Sequence, residues 1–284
     1  MRAWNLRRII GIAEALTNVN LQAYVVATIL LGVMVLGLTF ISTAYVSYRE
    51  IVSPLWGLKA LSSFYSADTN SSSGILVAFT MLPALIALTC MSMRSRALII
   101  ANASISRVDV LAASYFIVLV LTLGIAAYTA IYWGTIKYSL LACRNVDPLT
   151  FALGAAAIVT AFTLPTMLEG VAISSIIAAK VRYGLLEAFA LFIALLFILP
   201  VVDALSISVG MEVMHSAALP EYVMSAIVPG EGFARLTAIA LGVPNAAEPG
   251  VNYMVVAAMS TTSLAITILA GTALFIRSAE VRGA

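Results

Sequence analysis

Residues 150–177 read TFALGAAAIVTAFTLPTMLEGVAISSII, an apolar run whose single charge is Glu169. Wound as a helix rising 1.5 Å per residue, it covers about 42 Å, more than the ~30 Å hydrocarbon core of a bilayer. Five further runs of comparable character lie at 21–46, 74–93, 110–133, 184–202 and 253–276, and the segments between them hold nearly all the charge. None shows the period-2 alternation of a barrel strand, so backbone polar groups in lipid must be satisfied within helices. The expected fold is all-α, a polytopic membrane protein of six transmembrane helices.

Composition points the same way. Hydrophobic residues make up 62% and charged residues 10% of the 284 positions, against about 45–50% and 25% in soluble domains. Six spans and their connections consume the length, which predicts a single transmembrane domain over 1–284 with no soluble domain of ~100 residues appended. A net charge of +2 is too small and too dispersed for a nucleic-acid partner.

The distribution of that charge sets an orientation. Ten of the 15 Lys and Arg fall on one side of a six-span chain: Arg2, Arg7, Arg8, Arg94, Arg96, Arg107, Lys180, Arg182, Arg277 and Arg282. Arg49, Lys59, Lys137, Arg144 and Arg235 fall on the other, together with Glu50, Asp68, Asp147, Asp203, Glu212, Glu221, Glu231 and Glu248. By the positive-inside rule both termini are expected in the cytoplasm of a multi-pass cell-membrane protein, with Tyr45, Tyr48, Tyr132, Trp133 and Tyr253 near the outer headgroups.

Ahead of the first run, Leu6, Ile9, Ile10, Ala13 and Leu16 share one helical face, with Arg7, Arg8 and Glu14 elsewhere. This predicts an amphipathic helix in the inner interface. Glu14, Asn18 and Asn20 interrupt what would be a signal-peptide core, so the segment is read as retained. Cys90 and Cys143 are expected on opposite sides of the membrane, which precludes a disulfide. His215 has no Cys or His at ligand spacing, so no metal site is expected.

Catalytic signatures are absent. The sequence holds no phosphate-cradling Gly-x-x-x-x-Gly-Lys-Ser/Thr, no His-Glu-x-x-His and no Gly-x-Ser-x-Gly, and the chain is not expected to be an enzyme. Two carboxylates lie inside runs. Glu187, one turn into 184–202, suits the positive end of a helix dipole near Lys180 or Arg182. Glu169 is deeper and follows Pro165. An ionisable residue at that depth must face protein or water, so it is a candidate for the translocation path, beside the plainer role of bonding to a neighbouring helix. Pro83 and Pro165 are expected to kink their helices, and Pro200 to help end the fifth.

Two segments carry a family resemblance. After the second run the chain reads Met93-Arg-Ser-Arg-Ala-Leu-Ile-Ile-Ala-Asn-Ala-Ser-Ile-Ser-Arg, a basic and partly apolar stretch ending in Ile105-Ser106-Arg107. It resembles the coupling loop of permease subunits in type-2 ATP-binding-cassette exporters. In that family a basic turn, a short helix and a Pro-Ile-Ser-Arg-like tetrad lead into span three. Ser104 stands where the family often has Pro, and its acidic residue and Gly-Thr pair before the short helix are missing. The second segment, Leu219-Pro220-Glu221-Tyr222 followed by Val228-Pro229-Gly230-Glu231-Gly232-Phe233, is similar to the family's external re-entrant hairpin before span six. Its apolar face is Leu219, Val223, Ala226 and Ile227.

The resemblance implies a permease domain that pairs with a second six-span subunit, the same or a related chain. ATP would be bound by a separate nucleotide-binding subunit, with no cofactor in this chain. It assigns Arg94, Arg96, Leu98, Ile99, Ile100, Ile105, Ser106 and Arg107 to ATPase coupling, and Pro220, Glu221, Tyr222, Pro229 and Phe233 to an external gate. Spans one, two, three and six carry no charge, which fits export of an amphiphilic, lipid-like or peptide substrate. On the residues alone, a secondary transporter or channel and a membrane scaffold stay open. The first usually shows matched Gly or Pro breaks in two halves, and Pro83, Pro165 and Pro200 do not match between halves.

Overall fold

The computed structural model describes residues 6–19, 106–132, 148–180, 218–242 and 246–277, with isolated positions between 194 and 212. All regular structure among them is helical: α1 (Leu6–Val19), α2 (Arg107–Tyr132), α3 (Pro148–Lys180), α4 (Ala218–Ile227), α5 (Pro229–Ala240) and α6 (Tyr253–Arg277). Three of these, α2, α3 and α6, are long and apolar enough to cross a membrane. They match the runs expected at 110–133, 150–177 and 253–276 to within a turn. The runs at 21–46 and 74–93, with Pro83, Cys90 and the position of Cys143, lie outside the described residues.

Helix starts follow their local chemistry. Ser106 and Asp109 form a reciprocal capping box at the head of α2: the Asp109 N–H donates to Ser106 Oγ, and the Ser106 N–H donates to Asp109 Oδ2, both at 3.1 Å. Asn252 Oδ1 accepts the Met254 N–H at 3.1 Å and opens α6. Pro148 and Pro229 stand first in α3 and α5, where a missing N–H costs nothing. Pro165 lies inside α3, which is assigned as one helix on both sides of it. Ala194, Ile198, Val201 and Val202 are helical, and Pro200, expected to help end the fifth run, lies outside the described residues.

The middle helix is α3. Some 47% of its apolar window is buried inside the protein, against 17% for α6, so α3 is the hub on which α2, α5 and α6 pack. Lipid tails are as apolar as leucine, so helices associate here through close packing of small residues. Ala152, Ala155, Ala172, Ser174 and Ser175 are all buried along α3. Gly271 of α6 meets Ala172 so closely that a Cβ there would lie 2.5 Å from its carbonyl oxygen. Buried hydroxyls on α2 and α3 bond back to the carbonyl four residues earlier, as Ser114, Thr122, Thr166, Ser174 and Ser175 do at 2.7–3.0 Å, which gives each of these donors a partner in an apolar layer.

Contacts fix the directions. Arg107 at the start of α2 reaches the last carbonyls of α6, and Thr122, further along α2, rests 3.7 Å from Met167 Sδ of α3. Through α5, Ser260 lies beside the Phe162–Thr166 stretch while Gly271 meets Ala172. Thus α3 and α6 run in the same direction and α2 runs against both.

The helix α1 docks on the start of α2. Ile9, Ile12 and Ala13 join Val110, Leu111 and Phe275 in one buried cluster, and Arg8 pairs with Asp109 at 3.1 Å. The expected apolar face is thus divided. Its Ile9 and Ala13 edge is buried with Ile12, whereas Leu6 and Ile10 are uncovered, because the contact with α2 takes only one side of a broad stripe.

Candidate functional site

Between α3 and α6 the short helices α4 and α5 meet at Val228, whose φ of −128° and ψ of 82° break the helix. Val228 is completely buried. A break with no water around it must find its hydrogen bonds in protein. Ser263 of α6 donates to the Ala226 carbonyl at 2.5 Å and Ser260 to the Ser225 carbonyl at 3.3 Å. These are the carbonyls that the end of α4 leaves unpaired. The Val228 N–H donates to Met224 O at 2.7 Å and the Glu231 N–H to Val228 O at 3.0 Å. Ser263 stands ten residues into α6, about 15 Å along its axis, so the junction sits at mid-height of that helix.

Glycine lets the junction come so close. A Cβ on Gly230 would overlap Thr166 Oγ1 and the Phe162 carbonyl of α3, and one on Gly232 would overlap Ser260 Oγ of α6. Glu169 follows one turn beyond Thr166. It is 5% exposed, and its Oε2 is buried with no hydrogen-bond partner among the described residues. On a helical wheel it lies between Phe162 and Thr166, which meet α5, and Ala172, which meets α6.

The α4–α5 pair is tied at its other end by charge. Arg235 Nη2 contacts Glu221 Oε1 at 3.0 Å and Glu248 Oε1 at 2.5 Å. Burial works against the guanidinium charge, but Glu221 and Glu248 more than offset it, so its pKa stands above the ordinary arginine value. The Asn252 N–H donates to Tyr222 Oη at 2.9 Å and the Glu248 N–H to Tyr253 Oη at 2.6 Å. One ionic and tyrosine-bonded knot thus joins α4, α5, the connecting loop and the head of α6. Gly242, with φ of 70°, ends α5 in the left-handed turn that favours glycine.

Among the expected gate residues, Glu221 and Tyr222 meet in this knot, and Pro229 opens α5. Phe233 is part-buried on α5, its carbonyl taking the Thr237 hydroxyl. Pro220 lies within the first turn of α4, which begins at Ala218, instead of preceding the helix. Ala218, Met224 and Ser225 are the buried residues of α4. Leu219, Val223 and Ala226 are half-buried and Ile227 is exposed, so the expected apolar face looks away from the packed side.

Of the expected coupling residues, Arg94, Arg96, Leu98, Ile99, Ile100 and Ile105 lie outside the described residues. Ser106 is the α2 cap. Arg107 Nη1 donates to Phe275 O at 3.4 Å and Ile276 O at 3.2 Å, covering carbonyls at the end of α6 with a cation where the helix dipole favours one. Sequence reading missed the Ser106-x-x-Asp109 box, which its spacing announces, and the bonds of Arg235, which nothing local announces. No family model, curated protein or solved structure matches the chain.

Proposed function

We propose that this chain is the membrane subunit of an ATP-driven exporter of the type-2 ATP-binding-cassette class. It is a six-span permease domain in the cell membrane with both termini cytoplasmic. It works beside a second six-span subunit and a separate nucleotide-binding ATPase, and it moves an amphiphilic, lipid-like or peptide cargo.

The observation that carries this reading is the helix break at Val228, halfway along α6, with its backbone bonds completed by Ser260 and Ser263. Irregular backbone at membrane depth is tolerated where protein buries it. The α4–α5 pair accordingly acts as an external re-entrant hairpin, with its tip against α3 at Thr166 and its base held by Arg235. The directions of α2, α3 and α6 are those of spans three, four and six in a six-span chain. At the opposite end, α1, the head of α2 and the tail of α6 gather Arg8, Arg107 and Arg277, the end that a positive-inside chain turns to the cytoplasm. The segment that enters α2 there is the proposed coupling loop.

The test is purification of the chain from its own membranes in mild detergent. A nucleotide-binding subunit should accompany it in stoichiometric amount and be lost with Leu98→Asp, which buries an unpaired carboxylate in the contact, and retained with Lys59→Ala on the other side. A chain that arrives with no ATPase, or a Leu98→Asp variant that keeps it fully, refutes the assignment.

A further inference from the structure

The six apolar runs contain two carboxylates, Glu169 and Glu187, and no Lys, Arg or His. A buried carboxylate normally has a cation or several donors to satisfy it. Glu169 Oε2 has none among the described residues. The cations on helices packed around it are engaged elsewhere: Arg235 of α5 is held by Glu221 and Glu248, and Arg107 of α2 by the end of α6. Arg277 closes α6, and the charge in the first turn of α5, Glu231, has the same sign as Glu169. The bundle therefore presents a carboxylate with an open valence and supplies no internal cation for it among the described residues.

We propose that Glu169 holds the positive headgroup of the cargo, and that the cargo is an amphiphile bearing a protonated amine. This rests on the exporter reading above and names its substrate class. One carboxylate makes a charge-assisted bond to an ammonium, whereas a metal ion needs several ligands, and no group of three His, Cys, Asp or Glu lies together among the described residues. The buried apolar side chains that share the face of Glu169 on α3, Phe162, Pro165 and Ala172, suit a hydrocarbon body. Glu169 lies one turn beyond the hairpin tip, which meets α3 at Thr166. With the tip seated, Glu169 is closed off, and withdrawing the tip admits the headgroup.

The experiment uses the full chain in nanodiscs of zwitterionic lipid, without ATP, so its outcome does not depend on the ATPase partner. The probe is dansyl-1,12-diaminododecane, compared with its N-acetylated form, which keeps the body and loses the charge. Fluorescence titration should show the amine bound about tenfold or more tighter than the acetylated form. Glu169→Gln should reduce that preference to less than about twofold, while Glu187→Gln leaves it intact. Because Glu169→Gln risks misfolding, a second readout uses the unaltered protein. A carbodiimide that labels buried carboxyl groups should modify Glu169, and the amine probe should protect it where the acetylated one does not. Equal binding of the two probes, a preference that survives Glu169→Gln, or labelling that the amine fails to block would each overturn the proposal.

Discussion

Replacing Gly230 with alanine tests the contact on which the hairpin assignment depends. The added Cβ would meet two oxygens of α3, Thr166 Oγ1 and the Phe162 carbonyl. The hydroxyl can rotate away or be removed. The carbonyl belongs to a helix backbone and cannot. Overpacking of this kind costs about 1–3 kcal/mol. At roughly 2–4 °C per kcal/mol for a chain of this size, the midpoint should fall by about 2–12 °C, read as the monodisperse fraction left on a sizing column after graded heating. The control is Gly11→Ala on α1, where a Cβ meets nothing within 4 Å. Relief of glycine's backbone entropy should make that variant neutral or more stable by up to about 1 kcal/mol. A Thr166→Ala change added to Gly230→Ala should recover only part of the loss, because the Phe162 carbonyl remains. If Gly230→Ala is as stable as the parent, α5 does not approach α3 as described and the re-entrant reading loses its support.

Other perturbations probe the remaining contacts. Arg235→Ala leaves Glu221 and Glu248 facing each other without their cation and should cost about 3–5 kcal/mol, whereas Glu248→Gln, at a partner side chain 39% exposed, should cost under about 1 kcal/mol; equal midpoints for the two variants would contradict the buried pairing. Ser263→Ala strips the Ala226 carbonyl of its donor at a buried break and should lower stability by about 1–3 kcal/mol, while Thr262→Ala, at an exposed position of the same helix, should not register in the same heating assay. For the topology, with Cys90 and Cys143 both replaced by Ser, a membrane-impermeant thiol reagent should label Asn70→Cys from outside intact cells and leave Asn102→Cys unlabelled; labelling of position 102 would overturn the six-span arrangement.

How much of this was readable from the sequence depends on how local each cause is. The limits of α2, α3 and α6 were legible to within a turn because an apolar run has a length; the residues that start them, Ser106, Pro148 and Asn252, stand next to the runs in the chain but were not read as helix starts. The break between α4 and α5 was legible because Pro229-Gly230 marks it locally. Arg235 was legible only as one charge on the acidic side. Its partners Glu221 and Glu248 lie 14 and 13 residues away in different elements, and no periodicity links them. Arg107 was read as part of a loop that meets another protein, yet it also reaches carbonyls 168 and 169 residues away.

That second role of Arg107 changes what a substitution there can mean. Arg107→Ala would remove a charge from the proposed coupling segment and also uncover the end of α6, so loss of transport by that variant would not separate the two. Leu98 is free of this ambiguity as a probe because its apolar side chain has no ion pair to lose. The same reasoning distinguishes Glu169 from Arg235. Arg235 is buried and charged; its Nη2 has two carboxylate partners that balance the charge and hold the base of the hairpin, although its Nε finds no hydrogen-bond partner among the described residues. Glu169 is buried with an oxygen that nothing described here satisfies, in a set of apolar runs that contains no cation. The charge of Arg235 is balanced within the protein and explains architecture; the carboxylate of Glu169, one turn beyond the hairpin tip at Thr166, has no cation beside it among the described residues and is the group that the proposed ammonium would complete.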